Sequence, residues 1–323
     1  MAEPDRYTRR FVFASLGTLA LSRPAMADGP PLRLVLATAT PGGGFPAYGE
    51  AVAAALREVD PALTIELRNT RGSAENIPLL EAGTVDLGLV AGENAFEALS
   101  GVGRAPSPLR VVTAMYATPG IFAVKPGDPA STIADLRGRP VALGAGGSGL
   151  TIMARAFLRA AGLDPERDIV PVVLERAGDG PAMVLDGRVA SLFGGGSGWP
   201  GFTTLAGSPG GIRFIGPNPA EIARLLETNP SMRPATLLAG SYPGQDRDIA
   251  SAGSWSLVLA RPGLDEAAGY RLARALDRAK DDLGRRLAQA RETTSRNTVA
   301  AVSPGWIHPG VTRYLRETGA LKD

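Results

Sequence analysis

From Leu32 onward, apolar residues along the chain fall into two alternating rhythms. Short apolar runs of strand length are separated by stretches in which apolar residues recur every three or four positions. Arg33 to Thr38 reads as a strand and Pro41 to Gly44 as a glycine-rich turn. A helix follows with Val52, Ala55, Leu56 and Val59 on one face. A second strand spans Leu63 to Leu67. Ser73-Ala74-Glu75-Asn76 opens a helix that ends at Gly83, and Val85 to Val90 forms the next strand. Strand and helix in alternation predict a mostly parallel sheet.

The plan then repeats. After a pair of strands around Leu109 to Met115 and Ile121 to Lys125, Pro140 to Leu143 reads as a strand and Gly144 to Gly149 as a glycine-rich turn. Thr151 to Ala161 reads as a helix and Ile169 to Leu174 as a strand. The closing units correspond as well: Glu81-Ala82-Gly83-Thr84-Val85-Asp86 resembles Leu185-Asp186-Gly187-Arg188-Val189-Ala190, each placing a glycine stop before a short buried strand. The expected fold is α/β, with two lobes of like topology joined by crossover strands near Ala117 and Ala252 and a ligand cleft between them. Lobe I is expected over 32–117 plus 254–323 and lobe II over 118–253. A long helix from Asp265 to Arg291 should pack on lobe I.

Ahead of this pattern, Tyr7-Thr8-Arg9-Arg10 precedes the apolar stretch Phe11 to Leu21 and then Pro24-Ala25-Met26-Ala27. A basic start, a short apolar core and an Ala-x-Ala site mark residues 1–27 as a signal peptide cleaved before Asp28, which predicts export to the periplasm. The paired arginines also match, loosely, a twin-arginine signal.

Composition narrows the chemistry. The 323 residues give room for two cores, and 44% hydrophobic with 20% charged is globular. The 34 basic and 32 acidic residues are spread along the chain and leave a net charge of +2, so no nucleic-acid partner is expected. With no cysteine and one histidine, disulfides, thiol nucleophiles and histidine metal clusters drop out, and no metal or other cofactor is expected.

Small-molecule sites in such sheets form beyond the carboxyl ends of strands, where helix N-termini supply N–H groups to an anion. Both glycine-rich turns fall there. An anion is therefore expected between Thr38, Thr40, Gly43 and Ser73 on one side and Ser148, Gly149 and Thr151 on the other. Trp199, between glycines past a strand end, fills core or walls the ligand, and Glu93 with Asn94 caps a helix or touches it. Gly144-Ala145-Gly146-Gly147-Ser148-Gly149 also fits G-x-G-x-x-G, and Glu175 ends the next strand; this supports a rival reading as an exported NAD(P)-dependent oxidoreductase. Leu150 stands where a P-loop needs lysine, and neither Ser148 nor Ser197 completes G-x-S-x-G. His308 reads as a hydrogen-bonded structural residue. The chain is thus read as a binder and not an enzyme.

Four elements in order resemble the TAXI family of solute receptors, the extracytoplasmic components of one class of TRAP transporter. Thr38, Gly42-Gly43 and Gly49 fit its opening T-G-x-x-G-G-x-Y-Y-P-x-G. Gly72-Ser73-Ala74-Glu75-Asn76 with Leu79-Leu80 and Gly83 fits G-S-x-E-N-x-x-L-L-x-x-G. Asp135-Leu136-Arg137-Gly138 with Gly147-Ser148-Gly149 fits the D-L-x-G and G-S-G elements. His308-Pro309-Gly310 with Tyr314, Glu317 and Gly319 fits the terminal element. The resemblance implies a type II periplasmic-binding-protein fold that closes around an amino acid, dicarboxylate or related organic acid and delivers it to a TRAP-type permease; a receptor serving a sensor is the alternative partner, and a monomer is expected. It adds Phe45 and Asn76 to the ligand-binding set. Phe45-Pro46 replaces the family's two tyrosines, and Ala91 stands where glutamine is frequent, which removes polar groups from the site.

Overall fold

The computed structural model describes residues 29–322, so the signal-peptide segment lies outside the described residues. The first α/β unit runs β1 (Leu32–Ala37), α1 (Gly44–Val59), β2 (Leu63–Arg68), α2 (Ser73–Glu81), β3 (Leu87–Val90) and α3 (Gly92–Ser100). The long strand β4 (Arg110–Val124) leads into the second unit: β5 (Pro140–Ala145), α4 (Gly149–Ala160), β6 (Val170–Leu174), α5 (Gly180–Leu185), β7 (Ser191–Gly195) and α6 (Pro200–Ala206). After β8 (Arg213–Ile215), α7 (Pro219–Thr228) and β9 (Arg233–Leu237), β10 (Ile249–Ala260) returns to the first unit. There α8 (Glu266–Arg286), α9 (Ser295–Ala301) and α10 (Pro309–Glu317) complete it.

The strands follow the order β2-β1-β3-β10-β4-β7-β5-β6, with β8 on β4 and β9 on β10. Within each half the α/β strands are parallel: β1 pairs with β2 from Leu32↔Leu63 to Ala37↔Arg68, and β5 pairs with β6 and β7. The halves meet along β4 and β10, which run antiparallel from Ala260↔Arg110 in one lobe to Gly253↔Pro119 in the other. Each lobe has its own core. Leu36, Leu56, Leu89, Met115, Leu272 and Leu283 belong to the first, and Phe122, Leu143, Phe157, Leu158 and Phe193 to the second.

The strand pair expected around residue 117 is one 15-residue strand, β4. Pro119-Gly120 reads as a break, yet the strand continues because β10 supplies a partner on one side, with Gly253 opposite Pro119, and β7 on the other, with Gly195 opposite Gly120. Glycine is required at 120, where a Cβ would run into the rings of Phe157 and Phe193. The expected helix to Arg291 also ends early. Leu287 adopts extended backbone (φ −142°), and a 3₁₀ turn, Ala288–Glu292, folds back so that Glu292 accepts from the Ala117 N–H at 2.9 Å. The paired glycine stops behave alike: Gly83 and Gly187 take positive φ (66° and 84°) after α2 and α5, where a side chain would be strained.

His308 caps α10. Its Nδ1 accepts from the Gly310 N–H at 3.2 Å, so Nε2 carries the proton that the Leu264 carbonyl accepts at 3.0 Å. Burial lowers its pKa, which suits a neutral structural ring. Among the described residues, no helix is long and apolar enough to cross a membrane, and no cluster of acidic or histidine side chains is placed to hold a metal.

Candidate functional site

A cleft of about 680 Å³, open mouth included, lies between the lobes at the carboxyl ends of β1, β3, β5 and β7. Helices α1, α2, α3 and α4 all begin on its wall, through Gly43-Gly44, Gly72-Ser73, Ala91 and Ser148-Gly149. The first three start without a side-chain cap. The positive ends of four helix dipoles therefore converge on one space.

The lobes touch across this cleft through backbone. The Ala74 N–H donates to the Gly147 carbonyl at 3.2 Å, and the Gly178 N–H to the Pro41 carbonyl at 3.2 Å. The Ala177 N–H donates to the Thr40 hydroxyl at 3.1 Å. Such close approach needs bare glycine: a Cβ on Gly149 would collide with that of Ala91, and one on Gly42 would meet the Gly178 backbone. The glycine runs of both turns thus let the two lobes approach this closely. Gly147, within the dinucleotide-like fingerprint, is occupied by this contact with α2.

Of the residues expected from sequence, Thr40, Gly43, Phe45, Ser73, Glu93, Ser148, Gly149 and Trp199 line the cleft. Thr38, Asn76 and Thr151 lie beneath its wall, because each side chain turns inward to satisfy main-chain groups. Thr38 Oγ1 donates towards Arg68 O or Asn69 Oδ1, each at 3.2 Å. Asn76 Nδ2 donates to Thr38 O at 2.8 Å and Leu89 O at 2.7 Å, while its Oδ1 accepts from Thr70 at 2.7 Å. Thr151 Oγ1 donates to Ala145 O at 2.9 Å. These three shape the site from behind.

Ser73 Oγ accepts from the Ala91 N–H at 3.0 Å, joining α2 to the start of α3. Ser148 is the N-cap of α4, its Oγ accepting from the Leu150 N–H at 3.2 Å. Trp199 both fills core and walls the cleft. The Tyr242 hydroxyl accepts from the Trp199 N–H at 2.8 Å and donates to Gly196 O at 2.6 Å; the indole packs edge-to-face on Phe202 at 4.9 Å, and Gly194 and Gly201 leave room for its ring.

Glu93 is not the cap of α3, since Ala91 holds that position. It is 5% exposed, and its Oε1 accepts from Ser254 Oγ at 2.8 Å. Its Oε2 is buried without a hydrogen-bond partner. Burial pushes its pKa up to about 6.

Sequence reasoning missed Arg71 at the rim and the floor formed by Tyr116, Thr118, Ser254 and Ser256 on the two crossover strands. The run Ser251, Ser254, Ser256 within an apolar strand is the signal that was available: small hydroxyls in a buried strand mark a surface that meets something polar.

Solved structures share this architecture. MatC from Rhodopseudomonas palustris, with bound malate, superposes with a TM-score of 0.56 at 15% identity, over 89% of this chain and 96% of that one. A protein from Bordetella bronchiseptica gives 0.55 at 14% identity over 89% and 98%. A structure described as a periplasmic transporter gives 0.52 at 18% identity over 78% and 86%. The fold is that of type II periplasmic binding proteins. The NMT1-like family model matches residues 36–319, nearly all of the described chain, and the protein belongs to the NMT1-like family.

Proposed function

We propose that the protein is an extracytoplasmic solute-binding protein that closes its cleft on a small organic acid and presents it to a membrane transporter. One observation carries this reading: the N-termini of α1, α2 and α3, none with a side-chain cap, meet that of α4 in the inter-lobe cleft. A carboxylate there accepts hydrogen bonds from backbone already oriented by the sheet. The proposed ligand contacts are Thr40, Gly43, Phe45, Ser73, Ser148, Gly149 and Trp199, with Thr38, Asn76 and Thr151 as supports. MatC's malate is an acid of this class, and the TAXI-like motifs favour a TRAP-type permease as recipient. The dinucleotide reading is weaker, because Gly147 is engaged by Ala74 and Glu175 is not among the cleft-lining residues.

Thermal unfolding in the presence of small carboxylates and of nicotinamide nucleotides tests the proposal. A binding carboxylate should stabilise the protein by about 2.7 kcal/mol at a concentration 100 times Kd, and NAD or NADP should have no effect. Small-angle scattering adds the structural arm. Gly149→Val should abolish compaction by a ligand that compacts the unmodified protein, since the added side chain meets Ala91 before the lobes do. Saturable nucleotide binding, or carboxylate binding without compaction, would defeat the reading.

A further inference from the structure

The Glu93 carboxylate is unexplained by an anion site alone. It lines the cleft, is 5% exposed, and leaves Oε2 buried with no hydrogen-bond partner. A buried carboxylate facing a bound carboxylate is repulsive unless a positive group intervenes. Among the described residues, the cleft wall supplies no such side chain. Arg71, the one basic residue there, sits 80% exposed at the rim with its Nε on Glu75 Oε2 at 3.1 Å. The other titratable groups around Glu93 are Glu97 on its own helix, which disfavours the charge further, and Tyr116 on β4, kept neutral by burial; β10 contributes the Ser254 and Ser256 hydroxyls. Gly149 meanwhile packs against Ala91, two residues before Glu93. The positive end of the α4 dipole and the orphan oxygen therefore share one end of the cleft, an arrangement matched to opposite charges a few bonds apart.

We propose that Glu93 Oε2 receives a protonated amine of the ligand, making the solute a zwitterion held by its carboxylate at the helix N-termini and by its ammonium at Glu93. A hydroxyl would satisfy the hydrogen bond but not the charge, whereas an ammonium does both. This assignment rests on the organic-acid reading above and narrows it to amino acids.

The test is calorimetric titration of the purified protein with matched pairs that differ in one group: L-alanine against L-lactate and L-aspartate against L-malate, extended to other amino acids and their 2-hydroxy counterparts. In the best-binding pair, the amine should bind at least about tenfold tighter at pH 7.5. Glu93→Gln, which keeps an acceptor for Ser254, should erase that preference, and Glu93→Asp should retain part of it. Ionised Glu93 is the binding form, so the affinity for the amine should fall about tenfold from pH 7.5 to pH 5 as the carboxylate takes up a proton, while that for the hydroxy acid should rise, because a neutral Glu93 no longer repels its carboxylate. Hydroxy acids binding as tightly as amines, or a preference that survives Glu93→Gln, overturns the zwitterion assignment and leaves the organic-acid reading standing. No binding by either class overturns both.

Discussion

The cleft wall built on β1 and β3 is held from behind by hydrogen bonds, whereas the wall built on β7 is held by rings. Asn76, Thr38 and Thr70 tie β1, β3 and the start of α2 into one polar brace. Across the cleft, Trp199, Phe202, Phe214 and Tyr242 pack edge-on within 4.9 to 5.8 Å. A hydrogen-bonded brace fixes the direction of backbone groups. A ring cluster fixes the volume they face. One wall therefore presents directed backbone groups, and the other bounds the space in front of them.

Three substitutions probe this contrast. Trp199→Ala removes the largest ring from the apolar wall and should destabilise the protein by about 3 to 5 kcal/mol in chemical unfolding. It should also broaden the range of solutes accepted; unchanged selectivity would mean that the indole is core alone. Asn76→Ala strips donors from the Thr38 and Leu89 carbonyls and should cost about 3 kcal/mol. Its effect on binding should fall on all ligands alike, because the residue does not line the cleft; a selective effect would dissolve the distinction between brace and wall. Ser148→Ala removes the cap of α4 and should cost about 1 kcal/mol. A tenfold or greater loss of affinity in that variant would show that the hydroxyl also donates to the ligand, and the second lobe would be less purely a shape-setting surface.

What could be read from sequence follows the same division between local and distant causes. The α/β alternation and the glycine stops at Gly83 and Gly187 are local, set by periodicity and by the need for positive φ. The continuity of β4 through Pro119-Gly120 is not, since β10 and β7 supply it. In the site, the glycine turns placed Gly43, Ser148 and Gly149 on the cleft, but Thr38, Asn76 and Thr151 turn away because buried carbonyls nearby need donors. Glu93 was legible as a residue that caps a helix or touches the ligand, but not as an isolated charge. Its isolation depends on Ser254, far along the chain, taking one oxygen and nothing taking the other.

The double crossing of β4 and β10 also orders events during synthesis. The first lobe begins the chain, yet its sheet lacks the strand between β3 and β4 until Leu257 to Ala260 is made, and its core lacks α8. No N-terminal fragment can complete that lobe, while the second lobe's parallel sheet is specified by one uninterrupted stretch. Folding must wait for contacts distant in sequence, which slows it.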